Sequence, residues 1–293
     1  MRRLSRTAIV VAACVAAAAC GRREDTAPPV ASIAVSLSSP RAEAGGPLTV
    51  TYTFNVPAGA AALPADQWVF VHALDDSNEL LWTDDHAPAT PSQDWRPGTP
   101  VTYTRTMFVP RNTLPGRVRF EAGVFSRASG SRLPLAGQDR GMRAYEVASV
   151  TVGTVTNPVV ASEGWYDAET GEAPGREWRW SRREGHLSFA TPKTPITLYL
   201  QMDQPVASLP ASQAVEVRGP SGVLATLTIP AGPPQVAKVP LTPEQLGPGE
   251  RADVTVKVDT TFVPAATPQL KSTDTRELGI RLLNAFVETK GTS

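Results

Sequence analysis

The chain has 293 residues, enough for two domains of ordinary size. Its 41% hydrophobic and 19% charged content excludes a disordered chain. Its 28 prolines and 22 glycines follow no repeat period, which excludes collagen-like and solenoid architectures. The formal net charge is +0, with no basic face and no lysine-rich stripe, so nucleic acid is not an expected partner.

The first segment, MRRLSRTAIVVAACVAAAAC, carries Arg2, Arg3 and Arg6, then an apolar run from Ala8 to Ala19, then Cys20. This is the layout of an export signal, and the run is too short for a relaxed membrane span. The AAAC ending at Cys20 resembles the lipobox of bacterial lipoproteins, with Ala17 where leucine is commonest. That resemblance implies a signal peptide over 1–19 and a diacylglyceryl group on Cys20. It also implies a membrane partner reached through the lipid anchor. Gly21 at the next position implies sorting to the outer membrane. Cys14 in VAAC offers a rival box, but cleavage there leaves an apolar region of only Thr7 to Ala13. The alternative is plain secretion, with Cys20 as a spare thiol. Removing 1–19 leaves 25 basic against 28 acidic groups and no second cysteine for a disulfide. Residues 20–30 read as a polar, flexible tether.

Period-two alternation dominates the chain beyond the tether. In PLTVTYTFNV, Leu48, Val50, Tyr52 and Phe54 share one face and threonines mark the other. VTYTRTMFV repeats the device. RVRFEAGVF turns Val118, Phe120, Ala122 and Val124 inward, and QWVFVHAL is apolar on both faces. DDSN before ELLWTDD signals a hairpin. About eight strands are expected between Ala31 and Val152, as one sandwich over 31–153. A linker is expected over 154–160.

A second sandwich is expected over 161–290, built from HLSFA, ITLYLQM, AVEVRG, VLATLTI, QVAKVPL, ADVTVKVD and LGIRLLNAFVE. TPEQLGPG holds a candidate helical turn, with Thr242 as cap and Pro243 at the first helical position. The leucines of 275–288 fit helix or strand, and the all-β context favours strand. With no long amphipathic helix in the chain, doubly wound folds and TIM barrels are excluded. The expected fold class is therefore all-β: two consecutive antiparallel, immunoglobulin-like β-sandwich domains after a lipoprotein signal peptide.

Candidate chemistry is sparse. His72 shares a strand face with Trp68, Phe70 and Leu74, and a hairpin would bring His86 near it, with Asp75, Asp76 or Asp85 supplying carboxylates. The fixed short spacing of zinc motifs is missing. No metal and no cofactor is expected, and the plainer reading is an imidazole bonded to a neighbour such as Asp85. There is no GxSxG elbow, no phosphate-binding loop and no dinucleotide fingerprint. A glycosidase pair built on Glu169 and Glu172 would need a set separation that sequence does not supply.

One stretch concentrates aromatic residues: GWYDAETGEAPGREWRWS, residues 164–181. Trp165, Tyr166, Trp178 and Arg179 are its candidate ligand-binding residues. Trp178 and Trp180 lie two apart and share a strand face, with Arg179 opposite. Paired tryptophans also start cores. REWRWS therefore reads as the first strand of the second sandwich, with 164–175 as a covering loop that keeps a claim to binding.

Two sets of motifs resemble β-sandwich modules of bacterial membrane-bound glycosyltransferases and cell-envelope proteins. In the first half they fall on residues 70–72, 85–88, 95–98, 115–116 and 132–134. In the second they are GWY, then RW, and a closing set of Asp274, Arg276, Leu278 and Gly279. The resemblance implies fold and envelope location. It carries over no transferase activity, because the multi-span enzyme to which such modules are joined is missing. Asp274 and Arg276 are expected to pair with each other, or with Arg179 and Glu169. The resulting expectation is a non-catalytic envelope protein that binds a glycan or an envelope protein. The alternatives are an assembly subunit docking through sheet edges and a metal-dependent hydrolase using His72 and His86.

Overall fold

The computed structural model describes residues 27–204 and 212–289. The expected signal peptide, Cys20 and most of the expected tether lie outside the described residues.

The first half contains nine strands: β1 (Ala31–Leu37), β2 (Arg41–Glu43), β3 (Pro47–Asn55), β4 (Gln67–Leu74), β5 (Leu80–Thr83), β6 (Val101–Phe108), β7 (Gly116–Ser126), β8 (Leu135–Ala136) and β9 (Tyr145–Gly153). They form one sheet in the order β6-β3-β1-β8 and another in the order β2-β9-β7-β4-β5. The chain starts in the first sheet and then crosses to the second. There β2 runs parallel to β9, the last strand of the set. Alternation on β3 matches the sequence pattern: Leu48, Val50, Tyr52 and Phe54 are buried. On the other face Thr51 bonds Thr104 at 3.0 Å and Thr53 bonds Thr102 at 3.1 Å across to β6. Val118, Phe120, Ala122 and Val124 of β7 close the same core. Each such fully buried Val, Leu or Phe side chain contributes roughly 1.5–3 kcal/mol. Trp95 seals one end, with its ring 4.6 Å from Phe54 and its indole N–H donating to the Thr90 carbonyl.

The second half contains β10 (Val160–Ala161), β11 (Glu169–Thr170), β12 (Glu177–Trp180), β13 (Glu184–Ala190), β14 (Ile196–Asp203), β15 (Ser212–Gly219), β16 (Gly222–Pro230), β17 (Gln235–Leu241), β18 (Arg251–Val258) and β19 (Arg281–Thr289). The sheets run β10-β13-β18-β15-β16 and β11-β12-β19-β14-β17. Between them Leu187, Val215, Val217, Val254 and Val256 meet Ile196, Leu198, Leu200 and Met202 in a second core. A single turn of helix, α1 (Pro243–Leu246), follows Thr242, whose backbone N–H donates to the Gln245 side chain at 2.9 Å. The 275–288 segment is strand only from Arg281. Two short strands, β10 and β11, precede the REWRWS strand, so that stretch is not the first of the set.

The protein is thus all-β, with antiparallel sheets packed as sandwiches. Among the described residues no helix is long and apolar enough to cross a membrane.

Candidate functional site

The register around β4 decides the fate of the histidines. Val69 faces the core, and His86 pairs with it in an isolated bridge, so His86 also points inward. His86 is 4% exposed. Its Nδ1 lies 2.7 Å from the Asp84 carbonyl and its Nε2 lies 2.9 Å from the Tyr103 hydroxyl. Burial, and then the Arg105 charge, push its pKa down to about 4. His72 sits three residues beyond Val69 on the same strand and so points outward, beside the Phe70 ring. Burial lowers its pKa as well. The two imidazoles therefore occupy opposite faces of one sheet and do not meet, while the Asp85 charge acts on His72 alone of the two. The Asp85 carboxylate accepts the Val71 N–H at 3.0 Å. Among the described residues no three His, Cys, Asp or Glu side chains come together to hold a metal ion.

Most of the aromatic stretch forms a side cluster outside the second core, whereas Trp165 packs against that core. Trp180 and Leu278 are the buried centre of the cluster, with Tyr166, Trp178, Phe262 and Leu270 around them. Trp165 lies against Gly185, where an added Cβ would be 2.5 Å from the indole ring. Its Nε1 donates to the His186 carbonyl at 3.1 Å. The Arg182 and Arg276 guanidinium groups both lie over the Tyr166 ring, and its hydroxyl donates to the Glu277 carbonyl. Trp178 donates to Glu169 at 3.1 Å. Trp178 and Trp180 share the outer face of β12, where the Arg281 guanidinium stacks on both. That guanidinium also clamps Asp203 at 2.6 and 2.7 Å.

Arg276 bonds both Asp274 and Glu169. Arg179 takes no part in that pairing and donates to the Tyr166 carbonyl. The polar ends of Trp165, Tyr166, Trp178 and Arg179 are therefore all engaged within the chain, although all four side chains stay partly exposed. The GWY, RW and Asp-x-Arg-x-Leu-Gly motifs converge here, because β11, β12 and the segment before β19 are neighbours.

Sequence reasoning missed the seam between the sandwiches. Phe108 of β6 packs against Tyr199 and Phe286 of the second sandwich. Arg111, just after β6, donates to the Val159 carbonyl at 3.2 Å and to the Ala285 carbonyl at 2.8 Å. The connecting residues are tied to both sides. The Thr156 N–H donates to Glu43 at 2.9 Å, and Asn157 exchanges two hydrogen bonds with the Ala190 backbone. Between the sandwiches lies a cleft of ~850 Å³.

One wall of the cleft carries Trp82, His86, and Asp84 clamped by Arg105 through two bonds of 3.3 Å. The β11–β12 turn adds Arg176 and Glu177. The floor is an amide pair, Gln201 of β14 and Asn284 of β19, bonded at 2.7 Å where the strands lie in register. Each amide spends one group on the other, which leaves the Gln201 NH₂ and the Asn284 carbonyl oxygen available. The indole N–H of Trp82 is buried and has no acceptor. No local signal marks Gln201 or Asn284, since single amides on strands are common.

The fold defines the class: an all-β protein of two sandwiches with a cleft between them. No protein-family model and no curated protein matches this chain. Among solved structures it is similar to the tandem CBM51 modules of a family 98 glycoside hydrolase from Streptococcus pneumoniae. The identity is 10%, 84% of each chain is covered, and the TM-score is 0.24. It is also similar to the M60 catalytic domain with two CBM51 domains of ZmpB from Clostridium perfringens. There the identity is 10%, 92% of this chain and 32% of that one are covered, and the TM-score is 0.28. The secreted serine protease VesC from Vibrio cholerae matches at 9% identity, over 88% of this chain and 51% of that one, with a TM-score of 0.25. This chain spans about half or less of the last two. At these TM-scores the likenesses carry no functional argument.

Proposed function

We propose that this protein is a non-catalytic, lipid-anchored envelope module that binds glycan in the cleft between its sandwiches. The observation that carries the reading is the Gln201–Asn284 pair on the cleft floor. It presents one amide donor and one amide acceptor side by side on the lining of the cleft. Hydroxyl-rich ligands need such alternating donors and acceptors in a mostly preformed concavity. The same wall offers no free catalytic group. Both ring nitrogens of His86 are committed, so it does not move a proton freely, and Asp84 is bonded to Arg105.

The test is a glycan array followed by calorimetry, comparing the protein with its Gln201→Ala/Asn284→Ala variant. Loss of binding in the variant supports the cleft. No binding by the wild type, or binding indifferent to the variant, ends this reading. Loss on Trp165→Ala/Trp178→Ala instead would move the site to the aromatic cluster. The anchor is tested separately. In the native host, Cys20→Ser should abolish incorporation of a palmitate analogue and release the protein from the membrane fraction.

A further inference from the structure

Natural sheets blunt their free edges with charge, proline, bulges or shortness. Most edge strands here obey that rule. β2, β5, β8, β10 and β11 have four residues or fewer, β6 carries Arg105, and β17 carries Lys238 and Pro240. β16 differs: among the described edges of more than four residues it alone carries no charged side chain, and its bulge and proline lie toward its ends. It runs nine residues, GVLATLTIP, without one charged side chain. It bonds β15 on one side, and no described strand pairs with the other.

A bulge beside Leu224 and the terminal Pro230 bound a regular stretch from Ala225 to Ile229. Its pattern is palindromic about Leu227. Ala225 and Leu227 pair with the core residues Val217 and Val215 and so face inward. Thr226 and Thr228 face outward and are exposed. Leu224, Ala225 and Leu227 belong to the second core yet are only half-buried, because the sandwich is open along this edge.

We infer that β16 is a self-association edge, and that a second copy of this chain pairs with it antiparallel about a two-fold axis through Leu227. In that pairing Leu227 meets the partner's Leu227, and Ala225 meets the partner's Ile229. These contacts close the half-open core. Thr226 meets the partner's Thr228, the same threonine-to-threonine contact that β3 and β6 already use. Charge permits the approach. The strand itself is neutral, and in the next row Glu216 and Arg218 of β15 cancel each other at 2.6 Å. An isologous interface requires a self-complementary strand, which a heterologous partner does not.

The test uses light scattering of the purified full chain across a concentration series. The wild type should show a reversible dimer. Thr226→Lys/Thr228→Lys sets lysines opposite one another twice and should weaken association by about tenfold or more. Thr226→Lys/Thr228→Glu sets Lys opposite Glu twice in this register and should keep the dimer. It also shows that charged side chains at these exposed positions leave the fold intact. A wild type that stays monomeric, a dimer that survives the double-lysine change, or failure of the Lys/Glu variant to associate would each overturn the proposal.

Discussion

The Arg111 guanidinium of the first sandwich donates to the Ala285 carbonyl of the second across 2.8 Å. No carboxylate lies within ion-pair distance of it among the described residues. It works as a fork between two carbonyls, one of Val159 just before β10 and one of Ala285 on β19. A lysine has no such fork. Arg111→Lys and Arg111→Ala should therefore both loosen the seam. Because the residue keeps part of its surface in water, the loss should be about 1 kcal/mol. The sharper readout is small-angle scattering, where the variants should show a broader range of inter-sandwich distances than the wild type.

His86 makes stability depend on pH in a defined direction. Its folded pKa is depressed to about 4 from an ordinary 6.5, chiefly by burial. Between those values the unfolded chain takes up a proton that the folded one refuses. Its contribution is therefore complete above 6.5 and falls as pH drops toward 4, by about 3 kcal/mol at most. Urea unfolding at a series of pH values should show this slope. His86→Phe should flatten it in that window while lowering stability at neutral pH, since the Tyr103 hydroxyl and Asp84 carbonyl lose their partner.

Asp203 is 1% exposed, and Arg281 grips both of its carboxylate oxygens. Arg281→Met should cost about 3–5 kcal/mol, because it strands a buried carboxylate. Asp203→Leu/Arg281→Met should recover much of that, because it removes both charges together. Equilibrium denaturation of the single and double variants distinguishes this outcome from simple loss of the Arg281 stack on Trp178 and Trp180.

Gly185 is required by Trp165. A methyl at Gly185 meets the indole at 2.5 Å, and the ring is pinned by its bond to the His186 carbonyl. Gly185→Ala should cost about 1–3 kcal/mol through overpacking. In a Trp165→Leu background the same change should cost less, and a double-mutant cycle measures the difference.

Strand period, legible in the residues alone, controls which way each side chain turns. Tyr52 and Phe54 point inward and Thr51 and Thr53 outward because side chains alternate. His72 points outward for the same reason, since it sits an odd number of residues from Val69. The helical turn at Pro243 is equally local, because its cap precedes it directly. Which strands become neighbours, and in what register, is a property of the folded molecule. His86 points inward because it pairs with Val69. Gln201 meets Asn284 from 83 residues away, and Arg276 meets Glu169 from 107 away. Local periodicity is blind to such pairings, because a shift of one residue in register leaves each strand's own pattern unchanged while turning its side chains to the other face. The cleft exists only through those choices, together with the few bonds that hold two sandwiches at one distance.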